Sequence, residues 1–114
     1  MKITALVVGT LVAFGTGANS EQFLSAKDIE SQIVGHGFQG RKGILSVALR
    51  YDRDGTVTMR SPLGTGQGHW TMSGDQLCVK LETGPRKVDE CLTFISQSEG
   101  VYRASNGLQL TLAE

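Results

Sequence analysis

Two cysteines have the spacing that points most directly to chemistry. Cys78 and Cys91 are the only cysteines of the sequence, and Gly84-Pro85 lies midway between them. If the chain folds back at that turn, the two thiols face each other across an antiparallel pair, within disulfide reach. We therefore predict a cross-strand disulfide. A redox role would need a Cys-x-x-Cys pair or a thiolate beside positive charge, whereas Asp89 and Glu90 flank Cys91.

The two histidines offer no metal-ligand spacing. A zinc site takes three or four protein ligands, and a disulfide would occupy both cysteines. His36 follows a predicted helix, where a cation complements the negative end of the helix dipole. His69 precedes Trp70 on a strand and is expected to face solvent. We predict neither a metal ion nor a cofactor.

Two further stretches resemble ion or nucleotide sites in composition alone. Residues 52–55, Asp-Arg-Asp-Gly, lack the spaced ligands of a calcium loop and are typical of a hairpin turn. The glycine-rich residues 64–68 precede a strand, whereas a phosphate loop leads into a helix. No Gly-x-Ser-x-Gly occurs, and the carboxylates are scattered. We predict no catalytic residues and therefore no enzyme activity.

The N-terminal residues, 1–18, indicate export. A positive start and a largely apolar run over 3–14 precede small residues, which is typical of a signal peptide. Cleavage is predicted after Ala18, with Ser20 as the alternative. The run is shorter than the ~20 apolar residues of a spanning helix, so no integral membrane span is expected after cleavage. One domain, 19–114, would remain in the periplasm or be secreted, where disulfides form.

The charged residues balance, with 11 basic and 11 acidic side chains. So neutral a chain gives no electrostatic footprint for nucleic acid or for an anionic membrane surface. Arg41 and Lys42 could form a small basic spot with Lys27 and His36, which are nearby in sequence, but a solvated loop is the simpler interpretation. We expect no nucleic-acid partner.

A single short helix is predicted within residues 23–35. Ser25 is a natural N-cap, and Asp28 stands three residues on, as in a capping box. Ile29 and Ile33 share one helical face, and glycines follow the helix. So short a helix must pack against the rest of the domain.

The remaining chain alternates apolar and polar residues in short runs separated by turns, which indicates antiparallel strands. Residues 37–43 could be a loop or a short strand, 61–68 should be irregular because of Pro62, and 96–100 should be a loop. The predicted strands are 44–51, 56–60, 69–72, 77–82, 88–92, 101–104 and 108–112. The fold class is mainly β: an antiparallel meander of about seven strands, either an open curved sheet or a small up-and-down barrel, with one short N-terminal helix. A β-sandwich is the alternative.

Pairing Cys78 with Cys91 also fixes the register of its hairpin. One face then becomes apolar except for Glu90, and the disulfide lies on the polar face as a structural clamp. The opposed pairs on the apolar face are Leu77 with Leu92, Val79 with Glu90, and Leu81 with Val88.

Four aromatic residues are candidate ligand contacts: Trp70, Tyr51, Tyr102 and Phe38. They could line a pocket at a barrel mouth. In a domain of this size, aromatic residues more often fill the core. Both interpretations remain open.

The order of several short motifs resembles a family of small exported, cysteine-paired domains of largely unknown function in proteobacteria. The motifs are Leu24-Ser25-Ala26-Lys27-Asp28-Ile29, Gly35, Tyr51 with Asp54-Gly55, Gly68-His69-Trp70, Leu77-Cys78, Cys91, and Tyr102 with Asn106-Gly107. The chain is also loosely similar to lipocalin-type meanders, whose Gly-x-Trp lies on the first strand rather than in mid-chain. The resemblance implies a periplasmic location and brings no activity with it.

Together these observations predict a non-catalytic periplasmic binding or interaction domain. Its partner would be an unknown protein or a small apolar ligand, held on an open sheet face or at a barrel mouth. One alternative is an inhibitor of a periplasmic or host hydrolase that acts through an exposed loop such as 61–68. An uncharacterised enzyme is the other.

Overall fold

The structure, a computed structural model, describes residues 22–113. The predicted signal peptide, 1–18, lies outside the described residues. The described chain forms one helix and ten strands. They are β1 (Gln22–Phe23), α1 (Ala26–Gln32), β2 (Gly37–Lys42), β3 (Leu45–Tyr51), β4 (Thr56–Ser61), β5 (Gly64–Ser73), β6 (Gln76–Leu81), β7 (Val88–Leu92), β8 (Phe94–Ser98), β9 (Val101–Ala104) and β10 (Gln109–Leu112).

All ten strands belong to one antiparallel sheet, in the order β1-β8-β9-β10-β2-β3-β4-β5-β6-β7. Two meanders make up this order: β2 to β7, and β8 to β10. They join where β10 pairs with β2, with Leu110 opposite Gly40. The prediction of a mainly β, antiparallel, open curved sheet is therefore confirmed.

The curvature follows from the connection between β7 and β8. In the strand order, β7 is one edge strand and β8 is next to the other edge strand, yet Thr93 alone separates them in sequence. In a flat sheet they would be roughly 40 Å apart, at about 4.8 Å per strand. The sheet must therefore curl until its two edges come together at Thr93. There the Thr93 carbonyl accepts a hydrogen bond from the Ser105 amide at 2.9 Å, and the Thr93 amide donates to the Ser105 hydroxyl at 3.1 Å.

The strand number and the position of the helix differ from the prediction. Ten strands replace about seven, and β1 precedes the helix, so the helix is not the first element of the described chain. Residues 37–42 form a strand, and 94–98 continue as β8 through a stretch expected to be a loop. The polar sequence Ser96-Gln97-Ser98 shows no apolar alternation, and its pairing with β9 and β1 decides its conformation.

The glycine-rich residues 64–68 belong to β5, which corrects the expectation of an irregular stretch. Pro62 does lie outside a strand, in the two-residue turn 62–63. Glycine is required in β5 because the next strand approaches closely. A Cβ on Gly68 would collide with the Lys80 carbonyl oxygen and lie 2.8 Å from the Leu81 Cα. Glycine within a strand marks such sites of close backbone approach.

The helix has the predicted cap and packs over one end of the curved sheet. The Ser25 hydroxyl accepts from the Asp28 amide, and the Asp28 carboxylate accepts from the Ser25 amide, which completes a capping box. Ile29 and Ile33 are fully buried. The Ala26 amide also donates to the Asp75 carboxylate at 2.8 Å, which ties the helix to the β5–β6 turn. Among residues 22–113, no helix has the length and apolar character needed to cross a membrane.

The concave face of the sheet and the helix enclose one apolar core. Two edge-to-face aromatic pairs lie in it: Phe38 with Tyr102, at a centroid distance of 5.9 Å, and Tyr51 with Phe94, at 6.5 Å. The core residues are Leu24, Ile29, Ile33, Val34, Phe38, Val47, Leu49, Tyr51, Val57, Leu77, Val79, Leu81, Leu92, Phe94, Tyr102, Ala104, Leu108 and Leu110.

The cysteine hairpin has the predicted register. Cys78 lies opposite Cys91, and a disulfide joins them. The three predicted pairs on the apolar face are all present. Since the disulfide lies on the convex face, it holds β7 to β6 without occupying the core.

Candidate functional site: a cavity at the open end

The two ends of the curved sheet differ in how they are covered. One end carries α1 and the turns 52–55, 74–75 and 99–100, and we call it the helix end. The other end, here called the mouth, carries four connections of the described chain: 43–44, 62–63, 82–87 and 105–108. The helix seals the core at the first end, whereas short turns leave the concave face accessible at the second.

A cavity of about 460 Å³ lies at the mouth, between the concave face and the turns. Its volume falls within the range of small-molecule sites, ~300–1,000 Å³. The polar groups around it come mostly from the β6–β7 loop, from β7 and from the β9–β10 turn. Its apolar walls are formed by Leu45, Val47, Met59, Leu63, Leu81, Pro85, Val88 and Leu108.

A chain of hydrogen bonds closes one side of the cavity. The Lys42 ammonium donates to the Asn106 backbone carbonyl at 2.8 Å, and the Asn106 amide group donates to the Glu90 carboxylate at 3.1 Å. The Asn106 side-chain oxygen accepts from the Leu108 amide at 3.1 Å, which fixes the turn. Because β2 and β7 are far apart in the sheet order, this chain connects strands that do not pair with each other.

The cavity therefore combines apolar walls with a few charged groups at its margin. Lys42, Arg86 and Lys87 supply positive charge, and Asp89 and Glu90 supply negative charge. Such a lining suits a molecule with an apolar body and a polar or charged end.

None of the four predicted aromatic contacts lines the cavity. Phe38, Tyr51 and Tyr102 are buried in the core, where they pack edge to face as described. Trp70 is half-buried beside the core, and its indole N–H donates to the Asp52 carbonyl at 2.7 Å, at the helix end. As ligand contacts, the four residues stay a prediction.

Tyr51 is nevertheless linked to the cavity wall through electrostatics. Burial raises the pKa of its hydroxyl, and the Glu90 carboxylate raises that pKa further. A phenol in this position keeps its proton, since ionisation would place a second negative charge near Glu90 in a poorly solvated interior.

Neither histidine is among the residues that line the cavity. His69 is exposed and lies 3.1 Å from the Glu82 carboxylate through Nδ1, and His36 is half-buried beyond the helix. Within the described part of the chain, no three His, Cys, Asp or Glu side chains come together as metal ligands would.

The charges of the described residues separate between the two ends. Five basic residues and one acidic residue lie near the mouth turns: Arg41, Lys42, Arg60, Arg86, Lys87 and Glu82. Three basic and six acidic residues lie at the helix end: Lys27, Arg50, Arg53, Asp28, Glu30, Asp52, Asp54, Asp75 and Glu99. The four charged residues in the strands between, Lys80, Asp89, Glu90 and Arg103, cancel. The formal charge is thus +4 near the mouth turns (5 − 1), or +2 when Asp89 and Glu90 of the cavity margin are counted with them (5 − 3), and −3 at the helix end (3 − 6).

Overall neutrality therefore conceals a charge dipole among the described residues. The suggested basic spot also changes its members. Lys27 and His36 lie at the helix end, while Lys42 lies at the mouth and lines the cavity with Arg86 and Lys87. Proximity in sequence was a poor guide because β2 carries Arg41 and Lys42 to the opposite end of the sheet.

The sequence contains one residue that could have indicated this site. Glu90 is the single polar residue on the apolar face of the cysteine hairpin, and an isolated charge on a core face needs a partner. That partner is Asn106, sixteen residues away, in a turn whose position depends on β9 and β10. No family model, curated protein or solved structure matches this chain.

Proposed function

We propose that the protein is a non-catalytic periplasmic domain that binds a small amphipathic ligand in the cavity at its mouth. The observation that carries this proposal is the cavity itself, about 460 Å³ with apolar walls, at the end of the curved sheet opposite α1. The ligand would place its apolar part against the walls and its polar end near the margin.

The packing of the wall supports an accessible site rather than a packing defect. Met59 and Val88 are only partly buried although they adjoin the core, and Leu45 is 38% exposed. A ligand that covered these side chains would remove apolar surface from water, which is favourable by roughly 25 cal/mol per Å².

The polar margin would orient the ligand. Glu90 and Asn106 already bond to each other, so they form a fixed polar feature in an otherwise apolar wall. Lys42, Arg86 and Lys87 stand on the same margin and would attract a negatively charged end group. Fixed polar groups at the edge of an apolar cavity are the usual source of orientation in small-molecule sites.

The periplasmic location belongs to the same proposal. A disulfide on the convex face is consistent with an oxidising compartment, and the resemblance to exported, cysteine-paired domains points the same way. Together with the signal-like residues 1–18, these features give one interpretation: the domain works outside the cytoplasm.

Ligand uptake can be tested with an apolar fluorescent probe such as anilinonaphthalene sulfonate and a matched pair of substitutions. Met59 and Met72 are both partly buried at the margin of the core, but only Met59 lines the cavity. We expect saturable binding of one probe per chain. Met59→Gln should weaken it about fivefold, for the loss of about 1 kcal/mol of apolar contact.

Met72→Gln is the control, because it makes the same chemical change outside the cavity. It should leave the affinity for the probe unchanged while its unfolding midpoint shows that the variant is folded. Absence of saturable binding to the native chain, or equal weakening by both substitutions, would contradict the proposal.

The inhibitor alternative stays a prediction. The stretch 61–68 through which it was expected to act is mostly strand, with only the turn 62–63 projecting. Leu63 in that turn is 79% exposed, and its surroundings favour another role.

A further inference from the structure

We propose that the mouth docks on a bilayer that contains anionic lipids, with Ile44 and Leu63 entering the lipid and the surrounding basic residues contacting headgroups. Two independent observations carry this inference: the exposed apolar tips of two hairpins, and the separation of charge between the two ends. It goes beyond ligand binding, because a bilayer could hold the mouth whether or not the cavity is filled.

The apolar tips are exposed to solvent. Ile44 is fully exposed in the β2–β3 turn, and Leu63 is 79% exposed in the β4–β5 turn. Each turn has only two residues, 43–44 and 62–63, so either could have been built from polar residues at no cost to packing. Large aliphatic side chains at loop tips are instead suited to burial in the headgroup and acyl boundary of a membrane.

The two tips point from neighbouring hairpins on the same side of the mouth. Strands β3 and β4 pair with Ala48 opposite Arg60. Continuing that register by three residues toward the mouth brings Leu45 level with Leu63, and both line the cavity. Leu45 and Leu63 therefore form one apolar edge of the opening, and Ile44 precedes Leu45 in the β2–β3 turn.

Charge complementarity selects an anionic surface. Among the described residues, the mouth turns carry a formal charge of +4, which is +2 with Asp89 and Glu90 of the cavity margin included, and the helix end carries −3. A dipole of this kind turns the molecule mouth-first toward negative charge. Each Lys or Arg near an anionic membrane contributes about a fivefold gain in affinity at moderate salt. Binding to a neutral bilayer would depend on the two apolar tips alone.

The arrangement places the cavity entrance at the membrane surface. Arg86 and Lys87 lie in the 82–87 loop, and Pro85 of that loop approaches Gly64, next to Leu63. The basic loop and the apolar tip are thus adjacent. A docked molecule would hold its cavity open toward the headgroup region.

Vesicle co-sedimentation tests this docking directly. We expect the native chain to bind vesicles of equimolar phosphatidylglycerol and phosphatidylcholine, to bind pure phosphatidylcholine much more weakly, and to be released by raised salt. The double variant Ile44→Ser with Leu63→Ser should lose roughly tenfold in partitioning. The triple variant Lys42→Gln, Arg86→Gln, Lys87→Gln should lose more, at about fivefold for each charge.

Matched controls come from the helix end. Leu112 is 42% exposed there, and Lys27 is a basic residue on α1. Leu112→Ser and Lys27→Gln should leave partitioning unchanged. Ile44→Trp supplies a second measurement, since the added indole should be quenched by brominated lipid beyond the level of the native Trp70.

The proposal fails if the native chain does not bind anionic vesicles, if binding is indifferent to lipid charge and salt, or if the helix-end substitutions weaken it equally. Capture by a protein partner through the same edge, without vesicle binding, would also overturn it. The probe experiment with Met59→Gln reports on the cavity in the absence of lipid, so failure of ligand binding and failure of docking can be told apart.

Discussion

The helix end and the mouth of this curved sheet are built on opposite plans. At the helix end, α1 lays Ile29 and Ile33 over the core, and the turn residues carry a net negative charge. At the mouth, among residues 22–113, only turns border the concave face; these turns expose Ile44 and Leu63, and their charge is positive. One end holds the fold together, and the other presents a cavity.

The difference shows where a small β domain can place a site. With one end sealed by a helix, the strands can diverge at the other without losing the core, and the concave face becomes accessible there. Leu45, Met59, Leu63, Pro85 and Val88 of the cavity wall are accordingly less buried than the core, while Val47, Leu81 and Leu108 belong to both the wall and the core. Substitutions at the helix end should therefore change stability, and substitutions at the mouth should change binding.

The largest expected effect comes from a core substitution that destabilises the helix end. Phe94 is fully buried, packs edge to face on Tyr51, and its carbonyl accepts from the Leu24 amide at 2.9 Å. Phe94→Ala should lower the free energy of unfolding by about 3–5 kcal/mol. Urea denaturation measures this change. Leu63→Ala at the mouth is the comparison and should stay within about 0.5 kcal/mol of the native chain; similar losses for both would erase the distinction between the ends.

The second effect concerns the wall shared by the cavity and the sheet edge. The disulfide closes a separation of 13 residues, and such a loop contributes roughly 3 kcal/mol in the chain-entropy model. The double substitution Cys78→Ala with Cys91→Ala should therefore lower stability by about that amount. Since β7 pairs with β6 alone, its amides should lose hydrogen-exchange protection before those of β3 and β4. Reductant added to the native chain should reproduce the variant, and no change with either treatment would exclude a clamp.

The smallest expected effect is a change in how stability depends on pH, and it comes from Tyr51. The pKa of Tyr51 is raised in the folded protein, by burial first and by Glu90 second. The folded state thus holds this proton more tightly than the unfolded state. Stability is full below the ordinary tyrosine pKa of about 10 and falls as the pH rises above it, by at most ~1.4 kcal/mol per pH unit. Tyr51→Phe should flatten the fall between about pH 10 and 11, and an unchanged slope would mean that another group causes the alkaline loss.

Features set by short-range geometry were predictable from the sequence. The symmetry of Cys78 and Cys91 about a turn gives the register of β6 and β7, because strands joined by a short loop have few alternatives. The capping box of Ser25 and Asp28 is likewise written within four residues. The alternation from 44 to 60 identified β3 and β4 for the same reason.

Features that depend on the pairing of distant segments could not be predicted from the sequence. Strand β8 contains a polar run and is a strand because β9 and β1 flank it. The glycines of 64–68 suggested a loop, although they allow β6 to approach β5. The cavity is harder still, since Lys42, Glu90 and Asn106 become neighbours only after β10 has joined β2 and the sheet has curled.

Strand β10 has a consequence for the order of assembly. It is the seam between the two meanders, and Leu112 pairs with Phe38 across more than seventy positions of the chain. A chain that emerges from a ribosome or a translocation pore as far as residue 108 can form β2 to β7 and the β8–β9 hairpin, but it lacks the strand that joins them. During that interval the edges of β2 and β9 are unpaired, and open edges recruit other chains. Residues 109–112 therefore act as the closing step of folding, and their arrival ends the period in which this protein is exposed to aggregation.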